Sequence, residues 1–279
     1  MPLLDSWRLN AAFGGLRDSE NFPSSPLLLL KFVCQMPLPH IPLSRNPELF
    51  SASWSYSAID KFYEGWDEIE FVAKMEDVLD VYQRPYDPLN PVVCIDEMNK
   101  QLIKETRIPC APGQPEKVDS EYERNGVVDV FMIFEPLAGK RETIITQTRT
   151  AVDFARALQF TSDVMYPSAE KIILVTDNLN THSPASLYKA FAPEEARRLA
   201  NRFEWHYTPK HGSWLDMAEI EISVMCRQAL AKPLPDMDSF KVQVKSWTVR
   251  RNMECSKVNW QFTTNGARIK LKRLYPTNL

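Results

Sequence analysis

The residues best placed to do chemistry in this chain are three acids, each in a distinctive local setting. Asp96 follows the run Pro91-Val92-Val93-Cys94-Ile95, and Asp177 follows Lys171-Ile172-Ile173-Leu174-Val175-Thr176. Glu219 lies in His211-Gly212-Ser213-Trp214-Leu215-Asp216-Met217-Ala218-Glu219-Ile220-Glu221. A short β-branched run that stops at a polar residue reads as a buried strand delivering that residue to its C-terminal end. The third segment opens a helix-like stretch. Two strand-end carboxylates and a helix-borne one make an all-oxygen donor set, which hard divalent cations prefer.

Other elements must hold these acids. Strands are expected over 92–95, 127–134 and 142–147, the last two joined by Pro136-Leu137-Ala138-Gly139, which has hairpin-turn chemistry. Thr150 can cap a helix over 151–165, where Phe154, Leu158, Thr161 and Met165 recur at helical spacing. A strand over 171–176 follows. Ser183-Pro184 then reads as cap plus first-turn proline of a short helix, and Pro193-Glu194-Glu195 opens another. A strand over 204–207 and a helix over about 214–230 close the order.

The third acid is ambiguous by pattern. Glu219 and Glu221 stand about 200° apart around a helix. The apolar stripe Leu215, Ala218, Ile222, Met225 and Ala229 has one of them on each flank. Periodicity leaves both open. If the first strand continues, Glu97 points away from Asp96. Asn178, His182, Lys210 and His211 neighbour the acids in sequence and are candidate substrate contacts, with loop or turn roles as the alternative. Trp214 reads as packing at the helix entry.

Several motifs in fixed order carry a resemblance. Cys94-Ile95-Asp96-Glu97, then Asp177-Asn178-Leu179-Asn180-Thr181-His182, then Tyr207-Thr208-Pro209-Lys210-His211-Gly212-Ser213-Trp214-Leu215 resemble a DDE transposase. The likeness is closest to the bacterial insertion-sequence branch of the mariner superfamily. It runs from about Met75 to Pro276, including Trp260-Gln261-Phe262-Thr263-Thr264 and Ala267-Arg268-Ile269-Lys270-Leu271. The resemblance implies an α/β, ribonuclease H-like fold, a mixed sheet flanked by helices over 71–279. It implies Asp96, Asp177 and Glu219 as catalytic and metal-binding residues. Glu219 takes the third place because related sequences put their acid four residues after the Leu of Leu-Asn-x-x-Glu. Leu215-Asp216-Met217-Ala218-Glu219 matches that pattern with Asp216 in place of the Asn, and Glu221 stays as the alternative. Two Mg²⁺ or Mn²⁺ ions, one at the attacking and one at the leaving oxygen, would drive strand cleavage and strand transfer. The implied partners are element-end and target DNA and a second copy in a homodimer, with no membrane.

Residues 1–70 share none of this likeness. Seven of the chain's 21 prolines fall before residue 50, so an irregular leader is expected, with the helix-turn-helix module of related transposases absent or truncated. This leader motivates one rival reading, an inactive remnant or DNA-associated binding protein; a separate, same-chemistry rival is a ribonuclease H-like nuclease without transposition. Five widely spaced cysteines with no Cys-x-x-Cys argue against a zinc ribbon or disulfide framework, and for a reducing cytoplasm, where the resemblance to a DNA-acting family implies a nucleoid-associated setting. The net charge of −3 does not advertise a nucleic-acid binder. From residue 241 onward, however, nine basic residues face Glu254 alone, and a basic tail suits a phosphate backbone.

Overall fold

The computed structural model describes residues 68–105 and 122–276. The expected irregular leader lies almost wholly outside them. Five strands form one sheet in the order β3-β2-β1-β4-β5: β1 Val92–Glu105, β2 Tyr122–Glu135, β3 Lys140–Thr146, β4 Ile172–Thr176 and β5 Phe203–Tyr207. The pairs β1/β2 and β2/β3 are antiparallel, while β1/β4 and β4/β5 are parallel. A three-strand meander followed by two parallel strands added beside β1 is the ribonuclease H-like arrangement.

Helices cover both faces, which is why the middle strands read as continuous apolar runs. On one face lie α1 Glu68–Tyr82, α5 Met217–Gln228, α6 Met237–Met253 and α7 Thr264–Lys270. Their Met75, Leu79, Ala218, Met225, Phe240 and Trp247 pack on Cys94, Val130, Met132 and Val175. On the other face lie α2 Ala151–Phe160, α3 Leu187–Ala190 and α4 Pro193–Ala200, and here Phe154, Leu158, Leu187 and Leu199 meet Val93, Ile95, Phe131 and Leu174. Side chains alternate between faces along a strand, so Cys94 and Asp96 share the first face and Val93, Ile95 and Glu97 the second.

Local chemistry explains several boundaries. The β2–β3 hairpin turns at Gly139, whose φ of 66° favours glycine and where an added Cβ would lie 2.9 Å from the Cys255 backbone. Thr150 caps α2 in a reciprocal box, receiving the Asp153 N–H while Asp153 receives that of Thr150. Ser183 gives no side-chain cap; Pro184 alone starts the short turn before α3.

Two expectations need correction. β1 does not stop at residue 95: it runs 14 residues, with Asp96 fifth, because its polar outer half finds a full-length antiparallel partner in β2. The basic segment after residue 241 is not a tail either. It holds α6 and α7, whose Phe240, Val244, Trp247 and Ala267 are buried. Part of its charge is already paired, Arg251 with Glu221, Arg268 with Glu76 and Lys245 with Glu142. Asn252 binds the backbone of Arg141 through both amide atoms, at 2.9 and 2.8 Å, and so ties the end of α6 to β3.

Candidate active site

Register brings the first two acids together. In the parallel β1/β4 pair, Val92 faces Ile173 and Cys94 faces Val175. The same offset puts Asp96 opposite Asp177, just past the end of β4 and, by alternation, on the same face. That face is the one α5 crosses. Helix α5 is introduced by a turn in which the Gly212 N–H bonds Pro209 O at 2.8 Å, and a Cβ on Gly212 would lie 2.5 Å from the Pro209 ring. A short 3-10 turn, Ser213–Leu215, then leads to Asp216, which caps α5 through the Ala218 N–H at 2.8 Å. Glu219, in the first turn of α5, comes down beside Asp96.

The result is a buried, crowded acidic cluster. Burial and then the charges of Asp216, Glu219, Asp177 and Glu97 hold the Asp96 carboxyl well above its usual range. Asp216 is also pushed up, by burial and then by Glu219. Burial raises Glu219 to about 7, partly opposed by a hydrogen bond with Ser213 and helped by Asp177. Glu219 Oε2 and Asp216 Oδ2 are buried with no hydrogen-bond partner.

Asp177 is held from below. Its Oδ1 bonds His182 Nδ1, while His182 Nε2 meets Glu97 Oε2 at 2.8 Å and the ring packs on Phe154 with centroids 4.3 Å apart. Burial disfavours the charged imidazole, but bonds to Asp177 and Glu97 outweigh it and raise His182 to about 9. A ring with a carboxylate on each nitrogen donates from both, as imidazolium does.

Glu221 occupies a different environment. Its carboxylate is 2.9 Å from Arg141 Nε and 3.1 Å from Arg251, all but sealed from solvent, and Arg141 lies over the Phe134 ring. Its charge is already matched.

The sequence of residues 91–241 matches the family described as DDE superfamily endonuclease. The chain belongs to this family. Among curated proteins, none matches it. Similar solved structures include the Mos1 mariner paired end complex with Mn, at 14% identity and a TM-score of 0.46, spanning 98% of this chain and 86% of that one. The Mos1 Strand Transfer Complex, at 13% identity and TM-score 0.47, spans 98% and 85%. The Mos1 mariner paired end complex with Mg, at 13% and 0.45, spans 97% and 84%.

For a DDE endonuclease the remaining candidates fall as follows. Asn178 and Lys210 are exposed, Asn178 directly after Asp177 in the chain and Lys210 in the turn before α5. His211 is partly exposed at the turn before α5, with a positive φ of 65°. His182 is only 1% exposed and faces carboxylates, so it lies beneath the site and not on its open side. Trp214 packs at the entry to α5 against Trp260 and Phe262. Asp216 stands where the family pattern has Asn, and its visible signal in the chain is an acid at a helix N-cap three residues before Glu219. Among the described residues, no three His, Cys, Asp or Glu side chains form a ready-made metal site. The donor chemistry nevertheless fits a hard cation: oxygens only, mutually repelling, two of them buried and unpartnered.

Proposed function

We propose that this DDE endonuclease is a transposase of the bacterial insertion-sequence branch of the mariner superfamily, cleaving and joining DNA strands with divalent cations. Asp96, Asp177 and Glu219 are its catalytic and metal-binding acids. One observation supports this above others: three carboxylates from β1, the end of β4 and α5 converge around Asp96, and Asp96 and Glu219 among them have no matching positive partner.

Two Mg²⁺ or Mn²⁺ ions, when bound, would activate the attacking hydroxyl and offset charge at the scissile phosphate. The chain's own part is positional. Asp96 is fixed by the sheet, and Asp177 by the His182 bond and by the Leu179 N–H at 3.2 Å. Asn178, Lys210 and His211, on the open side, would contact the DNA backbone. His182 acts through Asp177, setting its orientation. DNA ends and target are the partners, a homodimer the working form, and the nucleoid the setting. Among the described residues no helix is long and apolar enough to cross a membrane.

Cleavage and joining of element-end DNA in Mg²⁺, Mn²⁺, Ca²⁺ and EDTA test the reading. Mg²⁺ and Mn²⁺ should support chemistry. Ca²⁺ should support binding with little cleavage, because its longer, looser shell misplaces the reacting oxygens. Full activity in EDTA would refute the mechanism. Cation-dependent nicking without joining would identify a nuclease, and DNA binding without either reaction a remnant.

A further inference from the structure

Asp216 does more than its local role requires. Its Oδ1 caps α5, a task that Asn or Ser performs as well. Its Oδ2 is buried with no partner, on a residue that is 0% exposed, and burying a charged oxygen unpaired is costly. Tyr82 does not relieve it: the Tyr82 hydroxyl donates to Leu215 O at 2.6 Å and sits 3.6 Å from Cys94 Sγ. The charges acting on Asp216 are those of Glu219 and Asp177, and Asp216 is the foremost charge acting on Asp96. A carboxylate whose cap could be made without charge, yet whose free oxygen stays buried and unpartnered under the charges of Asp96, Asp177 and Glu219, is placed for a cation.

We propose that Asp216 is a fourth acid of the divalent-cation site, adding its charge to Asp96, Asp177 and Glu219 and tightening cation binding. This rests on the cation reading of the site given above.

The test is Mn²⁺ binding to the full chain without DNA, followed by calorimetry and by the electron paramagnetic resonance of free Mn²⁺. Asp216→Asn and Asp216→Ser keep a capping oxygen and remove the charge. Asp238→Asn removes an acid whose side chain is 94% exposed, as a control. Both Asp216 variants should bind Mn²⁺ roughly tenfold or more weakly, the scale on which groups supporting a metal site act. Their apo melting temperatures should not fall, and Asp238→Asn should bind as the wild type does. If one Asp216 variant melts far below the wild type, the other decides; collapse of both would make Asp216 a structural cap and overturn the proposal. An unchanged Mn²⁺ constant in the folded variants also overturns it, leaving the three-acid site intact. A wild-type chain that takes up no Mn²⁺ would instead remove the cation reading itself.

Discussion

Helix α5 carries two buried charge clusters that solve the same physical problem in opposite ways. Around Glu221, one carboxylate meets Arg141 from β3 and Arg251 from α6, so the charges offset one another inside the fold. Around Asp96, the carboxylates of Asp216 and Glu219 meet no such compensation, and all three rise in pKa instead, while His182 holds only the neighbouring Asp177. A buried ion pair ties elements together even where its net stabilisation is small, because removing one partner strands the other. An uncompensated cluster ties nothing together. It is a standing cost that a bound cation would relieve, and perturbed acids gathered on one face are a mark of a functional site.

The sharpest way to break this contrast is to neutralise each cluster in turn. Glu219→Gln, like Asp96→Asn or Asp177→Asn, should lower cleavage roughly 10³-fold, since the metal's charge stabilisation is worth several kcal/mol. Its melting temperature should hold or rise. A Glu219→Gln protein that cleaves normally beside a folded, inactive Glu221→Gln would reverse the assignment of the third acid.

Glu221→Ala should act on the fold first. Two guanidiniums would lose their buried partner, at a cost of about 3–5 kcal/mol, or a melting temperature lowered by roughly 10 °C for a domain of this size. Thermal melts followed by circular dichroism would show it. A loss below about 1 kcal/mol would mean that the arginines find other partners or water.

The pH dependence of the apo protein comes next. Glu219 is raised from 4.5 to about 7, so between those values the folded state holds more protons than the unfolded one. Stability from this group is therefore greatest below about pH 4.5 and is lost as pH rises through about 7, by at most on the order of 3 kcal/mol. His182, raised from 6.5 to about 9, adds stability that is full below pH 6.5 and lost as pH rises through 9. Melting temperatures across pH 4.5–9 should fall accordingly, and Glu219→Gln should flatten the lower half of that window. A wild-type curve that rises between pH 4.5 and 7 would contradict the cluster's electrostatics.

The smallest effect marks the surface limit of the comparison. Glu142 pairs with Lys245 at 3.3 Å, both with solvent access. Glu142→Gln should change stability by less than about 1 kcal/mol in a denaturant titration, as exposed pairs do. A larger loss would mean that β3 and α6 are held through this pair as well as through Arg141.

Much of this arrangement was legible in the chain itself. The apolar runs before Asp96 and Asp177 announce buried strands, Pro136–Gly139 a hairpin, and Thr150 a helix start, because each depends on neighbours within a few residues. Alternation also assigns Glu97 to the face opposite Asp96. The stripe Phe71, Met75, Val78 and Tyr82 of α1, and Phe240, Val244 and Trp247 of α6, carry the same kind of signal, but scattered charges obscure them, and by composition α6 reads as a basic tail.

What local pattern could not contain was decided by long-range pairing. The end of β1 depends on whether β2 runs alongside, so an acid that looks terminal sits inside a 14-residue strand. The meeting of Asp96 and Asp177 depends on parallel register across some 80 residues of chain. Glu219 and Glu221 are equivalent to a helical wheel, and only Arg141 and Arg251, brought in by β3 and α6, tell them apart. Residue types and local periodicity determine which groups can be buried; the packing of distant elements determines which of those charges find a partner and which do not.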